Sequence, residues 1–497
     1  MQRLTWTTAV FALGLGIIVA GSGCSQIHLN PGEDVAPSRD TNREWTPPAS
    51  VANSNEIASG RDELRALGLR TAEPAPPGDQ YDLPAVIDVA LCSNPQTKRA
   101  WYSAHAAAAQ YGQSRSDNYP KVAGEAEAGY FKLPLQFPGQ TLVIRNEEFL
   151  PQLRVNYDLL DFGRSRSKER GAREQLIAAN FAFNRAIQDV VFEVEKSYYV
   201  LAAADASVRA AEANLKLAQT SLDAIEERHH VGLATKPQIL LAKQVQAQAV
   251  YDLENARSMV HDAEAGMRRS IGLAPNAPVN IRADELDHLP GSLGQDIEIL
   301  MSDALKQRPD IAAEVAAVRA GDAAIARAQA EYYPEVEVGG NYGQVIWSYT
   351  VNGGSTQNLN QPFYGAFLTL RWNLFTGFER YYGVQKAIAD RDAAREQLKS
   401  TELDAVTAVW TAYYDFHSAQ KKYEASEALV SASQEAYDAN LESHRHGLST
   451  ITDLVNAERD LMGARYTLIQ NKAGLMISSS ALVHALGTTR EPGAPIH

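Results

Sequence analysis

LDAIEERHHVGLATKPQILLA, residues 222–242, and YDANLESHRHGLSTITDLVNA, residues 437–457, decide how this chain folds. Each compresses the end of one helix, a glycine and the start of another. Gly232 and Gly447 stand where a helix closes on a left-handed residue. Thr235 and Thr450 suit the N-cap of the following helix, and Gln238 and Asp453, three residues on, complete a capping box. Only a bare turn fits between the helices, so each stretch is the tip of a helical hairpin.

The arms of both hairpins follow from the flanking pattern. Val208, Ala211, Leu215, Ala218, Leu222 and Ile225 alternate steps of three and four before the first turn. Ala242, Ala249, Leu253, Ala256, Val260, Ala263 and Met267 keep that spacing after it, with Gln246 the interruption. Ala457, Leu461, Ala464, Leu468, Leu475 and Leu482 repeat the register in the second hairpin, broken by Asn471 and Ser478. A sustained 3.5-residue repeat predicts knobs-into-holes packing, and alanine knobs let helices approach closely. The first arms are expected from about Gly163 to Arg228 and from about Gly377 to His444, each on the order of 100 Å long.

The resemblance between the tips extends along the chain. Asn94-Pro95 aligns with Arg308-Pro309, Tyr119-Pro120 with Tyr333-Pro334, and Tyr157-Asp158-Leu159 with Trp372-Asn373-Leu374. Tyr198-Tyr199 aligns with Tyr413-Tyr414, and Gly272 with Gly487. An ordered series at nearly constant offset is the mark of tandem duplication. Each repeat opens with a helix of about 24 residues carrying Pro in its first turn, where the missing N–H costs nothing. Two alternating segments follow: Val122–Tyr130 and Leu153–Leu159, then Val336–Tyr342 and Phe363–Leu374. In the last, Tyr364, Ala366, Leu368, Leu370, Trp372 and Leu374 share one face. The fold class is therefore α+β, mostly α, with an internal tandem duplication. A tilted strand of about 9–11 residues spans a bilayer, yet four strands close no barrel, and open edges cannot stand in lipid. Either the strands form small sheets in water, or several copies close one barrel; three copies would supply about twelve strands.

Composition narrows the function classes. The 497 residues carry a net charge of -14, which argues against a nucleic-acid partner. After residue 23 no run of about 18 apolar residues occurs. Val10 to Ala20 is an apolar stretch of signal-peptide length after Arg3. Gly21-Ser22-Gly23-Cys24 resembles a bacterial lipobox, with Gly21 where Leu is usual, which implies acylation of Cys24 as the first mature residue. Ser25 then fits sorting to the outer membrane. With Cys24 carrying lipid, no intramolecular disulfide forms, and Cys92 is expected to be an inert buried thiol. The expected organisation is a signal peptide over 1–23, a lipid-anchored extended arm over 24–80, a first repeat over 81–280, a linker over 281–295, a second repeat over 296–488 and a tail over 489–497. Within the arm, a short helix is expected near Asp62–Leu69. Gly-x-Ser-x-Gly, P-loop, HExxH and CxxC patterns are absent, so no enzyme, cofactor or metal centre is expected.

Ala304-Leu305-Lys306-Gln307-Arg308-Pro309-Asp310-Ile311, its weaker counterpart Ala90-Leu91-Cys92-Ser93-Asn94-Pro95, Trp372-Asn373-Leu374-Phe375 and the two Gly-Leu-x-Thr turns resemble the TolC-like outer-membrane efflux family, particularly its NodT-type lipoprotein branch. The resemblance implies a homotrimeric channel in the outer membrane of a Gram-negative bacterium: a twelve-stranded transmembrane β-barrel above a periplasmic α-helical coiled-coil barrel. It implies a passive exit duct of a tripartite efflux system for small molecules such as drugs, served by a periplasmic adaptor (membrane fusion protein) and an inner-membrane pump. It puts Gly232, Leu233, Thr235, Gly447, Leu448 and Thr450 at the adaptor-docking tip. It makes Asp453 a pore-gate residue, with Asn456 at the neighbouring gate position where relatives carry a second acid. An acidic ring would favour cations. Type I protein-secretion channels share this fold, but the lipobox and Arg-Pro-Asp-Ile favour the small-molecule branch. A periplasmic coiled-coil adaptor or scaffold lipoprotein would carry a domain where Ala234–Lys236 is a bare turn. His229, His230, His444 and His446 read as solvated tip residues. Tyr198, Tyr199, Tyr413 and Tyr414 are expected inside the helical wall, and Trp347 and Tyr349 in an interfacial aromatic girdle.

Overall fold

The computed structural model describes residues 42–45, 81–275, 277, 281 and 297–488. The lipobox, Cys24 and most of the arm, including the short helix expected near Asp62–Leu69, lie outside the described residues. Each repeat contains two short helices, a β-hairpin and a long helical hairpin. The first repeat has α1 (Leu83–Ser93), α2 (Pro95–Arg115), β1 (Lys121–Phe137), β2 (Gln140–Leu160), α3 (Arg164–His230) and α4 (Lys236–Ile271). The second has α5 (Ile297–Gln307), α6 (Pro309–Ala330), β3 (Glu335–Val351), β4 (Gln357–Arg371), α7 (Glu379–Arg445) and α8 (Ile451–Leu486). The duplication reaches the lengths: α3 and α7 both have 67 residues, about 100 Å, and α4 and α8 both have 36. No helix among the described residues is long and apolar enough to cross a membrane.

The breaks between the short helices have a purpose in packing. At Asn94 and Arg308 the backbone turns extended before the proline. The C-terminus of each return helix docks there. Asn94 Nδ2 donates to the Ser270 carbonyl at 2.8 Å, and Arg308 Nη1 to the Ala485 carbonyl at 3.0 Å. Gly272 and Gly487 end those helices with positive φ, 88° and 74°. A Cβ on Gly272 would lie 2.7 Å from Asn94 Cα, and one on Gly487 2.7 Å from Arg308 Cγ. Both the conformation and the close approach require glycine here. Arg308 also forks onto Asp310, whose carboxyl stays below its usual range despite burial because Arg308 bonds it.

The strands are longer than the alternation suggested. They form one antiparallel sheet in the order β1-β2-β3-β4, each 15 to 21 residues long. Alternation in the sequence covered only the ends near the helices. The halves beyond carry polar residues such as Asn146, Glu147 and Glu148 and so lose the apolar periodicity, while the backbone ladder continues to two tight turns. Phe137 pairs with Gln140 across Pro138-Gly139. Asn352 and Gly353, both with positive φ, begin the second turn, and Asn352 exchanges hydrogen bonds with Val143. At the other end β4 stops at Arg371, so Trp372 and Leu374 lie beyond the strand, contrary to expectation.

Within each hairpin the seam is apolar, with Ala211, Ala218, Leu222, Ala249 and Leu253 all buried. The twin long helices are unequally covered. Most of the chain's core lies against α3, where Tyr198 is fully buried, whereas α7 buries few residues. Tyr198 and Tyr199 are thus inside the wall as expected. Tyr413 is only half-buried and Tyr414 is 49% exposed, because nothing among the described residues covers that side of α7. Cys92 is half-buried rather than buried: it faces away from the α1 side that Val86, Ala90 and Leu91 press into the core.

Candidate functional site

The tip consists of two helix-to-helix turns with the same internal bonds. At the first, Gly232 N donates to the His229 carbonyl at 2.9 Å and Leu233 N to the Arg228 carbonyl at 2.7 Å. At the second, Gly447 N donates to His444 and Leu448 N to Ser443, at 3.0 and 2.8 Å. This is the Schellman closure, with φ of 79° and 75° at the glycines. The next helices start with capping boxes at Thr235/Gln238 and Thr450/Asp453. A histidine staples each turn: His229 Nδ1 meets the Ala234 carbonyl at 2.6 Å, and His444 Nδ1 the Ser449 carbonyl at 3.2 Å. Every backbone group these turns need is satisfied locally, so Leu233 and Leu448 stand out to solvent, Leu448 at 82% exposure.

Asp453 and Asn456 are both exposed and share one side of α8, three residues apart. Asp453 Oδ2 accepts from the Thr450 amide at 3.0 Å and the Thr450 hydroxyl at 2.6 Å. The hydroxyl and the amide hold its carboxyl below the usual aspartate range, so it is ionised at neutral pH. Among the described residues, no three of His, Cys, Asp and Glu gather as a metal site. His446 instead bonds Glu442 within its own helix at 2.9 Å.

Sequence reasoning missed the bonds that join the two hairpins. Arg228 Nη1 donates to the His444 carbonyl at 3.2 Å, Ser221 Oγ to Glu458 Oε2 at 3.4 Å, and Arg465 Nη1 to Asn214 Oδ1 at 3.3 Å. Higher up, Gln188 donates to the Gly487 carbonyl, and Ser480 bonds the buried Glu195, whose carboxyl burial pushes up to about 7. The contact between α3 and the second hairpin therefore mixes polar bonds with apolar packing, since Leu222 and Ile225 share a buried cluster with Leu454 and Leu461. On α3 the lower members, Asn214, Ser221 and Arg228, recur every seven residues. That spacing is the only trace they leave in the sequence.

At the opposite end, the two faces of the sheet differ in chemistry. Val122, Leu153, Val155, Tyr342, Tyr364, Leu368 and Leu370 share one face and are exposed on it, Tyr364 at 82%. The other face carries Glu125, Arg154, Asp158, Glu335, Glu337 and Arg371, with ion pairs Arg154–Glu125 at 3.4 Å and Arg371–Glu335 at 2.9 Å. Phe367 and Phe363 lie over Gly339 and Gly343, their cross-strand partners, so closely that no Cβ fits at either glycine. Trp347 and Tyr349 lie on this second face near the β3–β4 turn.

An apolar sheet face with unpaired edges, joined to helices of about 100 Å, describes a passive membrane channel and not an enzyme. The chain belongs to the outer membrane efflux protein family, whose model matches residues 86–273 and 300–488. Protein CyaE of Bordetella pertussis is 28% identical over 422 residues, which cover 83% of this chain and 86% of that one. The antibiotic efflux pump outer membrane protein ArpC of Pseudomonas putida is 24% identical, covering 97% of this chain and 96% of its own. Among solved structures, the outer membrane protein VceC of Vibrio cholerae aligns with a TM-score of 0.67 at 21% identity, over 82% of this chain and 97% of that chain.

Proposed function

We propose that this protein is the exit duct of a tripartite efflux system, working as a homotrimer with a periplasmic adaptor and an inner-membrane pump. One observation carries the reading: a four-stranded sheet, apolar on one face, with both edges unpaired. β1 and β4 run in opposite directions, so β4 of one copy can continue the antiparallel ladder onto β1 of the next. Three copies give twelve strands, a number within the range of outer-membrane barrels. The face bearing Leu153, Leu368 and Leu370 then meets lipid, and the face bearing Glu125, Asp158 and Glu337 lines water. The uncovered side of α7 meets a neighbouring copy in the helical wall below. A soluble scaffold would have no use for strands of 15 to 21 residues with an exposed apolar face.

The tip assignments rest on the same architecture. Gly232, Leu233, Thr235, Gly447, Leu448 and Thr450 form two rigid turns with exposed leucines, suited to receive the hairpins of an adaptor. Asp453 adds an ionised carboxylate per copy at the periplasmic end, with the neutral Asn456 beside it. Repeats over 81–280 and 296–488, a linker over 281–295 and an acylated Cys24 complete the description. Small-molecule cargo, rather than the protein cargo of type I secretion, is supported by the likeness to an antibiotic efflux protein along almost the whole chain. The test is reconstitution of the purified protein in planar bilayers with its mass measured in detergent. Pores from particles of three chains are expected; a monomer that forms no pores would refute the duct.

A further inference from the structure

Glu458 takes no part in the docking or cation preference described above. It lies on α8 two residues beyond Asn456, turned to the buried side, and is only 1% exposed. Oε1 has no hydrogen-bond partner, and Oε2 receives only the Ser221 hydroxyl of α3 at 3.4 Å. The same hydroxyl bonds Tyr437 of α7. Three helices meet at this point, α3 from the first hairpin and α7 and α8 from the second. Burial raises the Tyr437 phenol first, then the charges of Glu458 and Asp438, while Ser221 and Arg445 lower it; Glu458 itself is raised by burial and lowered by Ser221. Among the described residues, no cation offsets a carboxylate there.

The bonds on either side of this joint are of another kind. Arg465 to Asn214 and Arg228 to the His444 carbonyl join a permanently charged guanidinium to a neutral acceptor, and they hold at any physiological pH. A carboxylic acid at Glu458, with its proton on Oε1 while Oε2 accepts from Ser221, leaves one hydroxyl unpaired. A carboxylate there leaves an uncompensated buried charge, which is far costlier unless water reaches it. Water reaches it only if α8 moves off α3.

We propose that Glu458 is a gate-positioning residue: its neutral carboxylic acid keeps the second hairpin seated on the first, and loss of its proton unseats the tip and opens the duct. The inference rests on the exit-duct reading. The seated tip binds the proton more tightly than the parted one, where Glu458 meets water. Closure is therefore fully supported below the ordinary glutamate value of 4.5 and is lost as pH rises through the raised value of the seated state.

Single-channel recording of the full-length protein across acid to alkaline pH tests this on wild type, Glu458→Gln and Glu458→Leu. Wild-type conductance should rise with pH, while both variants, unable to ionise, stay at the wild-type acid level and keep its cation preference. If both variants retain the wild-type pH profile, the response belongs elsewhere, for instance to His229, His230, His444 and His446, and the assignment falls. A wild type whose conductance is flat with pH overturns it equally. Absence of pores from every protein, wild type included, would instead strike the duct reading beneath it.

Discussion

Asp453 both caps a helix and holds a charge at the tip, and one substitution separates these roles. Asn at this position still offers an oxygen to the Thr450 amide and hydroxyl, so Asp453→Asn should fold and form pores. Its reversal potential in a salt gradient should show a weaker preference for cations, and an unchanged preference would remove the gate assignment alone. The pH dependence has a definite sign. Thr450 holds the carboxyl below the ordinary aspartate value of 3.8, so cation preference should persist through that pH and fade only below it. Gly447 offers a contrasting case. A Cβ there meets nothing within 4 Å, yet φ is 75°, so Gly447→Ala should cost about 1 kcal/mol, read as a lower unfolding temperature. The tip turns were legible in the sequence because a Schellman glycine and a capping box are local signals, complete within a few residues. Glu458 was not, because its partner Ser221 lies 237 residues away and nothing near Glu458 shows that it will be buried. Trp45 was equally invisible. It is buried against Phe181, and its backbone N–H and carbonyl are both bonded by the side chain of Asn184, 139 residues distant.

Between elements, the glycines of β3 and the docking points of the return helices carry the testable consequences. Gly339→Ala would drive the Phe367 ring off the sheet, lowering the temperature at which the barrel unfolds. Gly339→Ala/Phe367→Ala should recover much of that loss, whereas additive losses would show that the ring and the glycine are not coupled. Arg308→Ala leaves the Ala485 carbonyl and the buried side of Asp310 without their donor. We expect a loss of about 2–4 kcal/mol, measured by denaturant unfolding, with the tip unaffected. Helices were easier to read than strands. Heptads run through the lower part of α3 and, with single interruptions, along α4 and α8, but alternation in a strand holds only where its two faces differ in chemistry. The far half of β2, with Asn146, Glu147 and Glu148, carries polar residues on both faces and loses the signal, although its hydrogen-bond ladder runs on.

At the scale of the whole molecule, α3 is enclosed by its own chain while α7, of the same length, is bare along one side. Cysteine pairs joining that side of α7 to the outer surface of another copy should cross-link in cells into species of three chains. A ladder ending at two chains would contradict threefold closure. The sheet has a harsher implication. Each free rim, on β1 and on β4, is a row of unsatisfied amides and carbonyls that lipid cannot tolerate and that any extended peptide can pair with. A solitary copy has no resting place in the bilayer and, left in the periplasm, is a template for aggregation. On the duct reading, insertion and assembly are then a single event, and until that event the rims of each newly made chain need shielding.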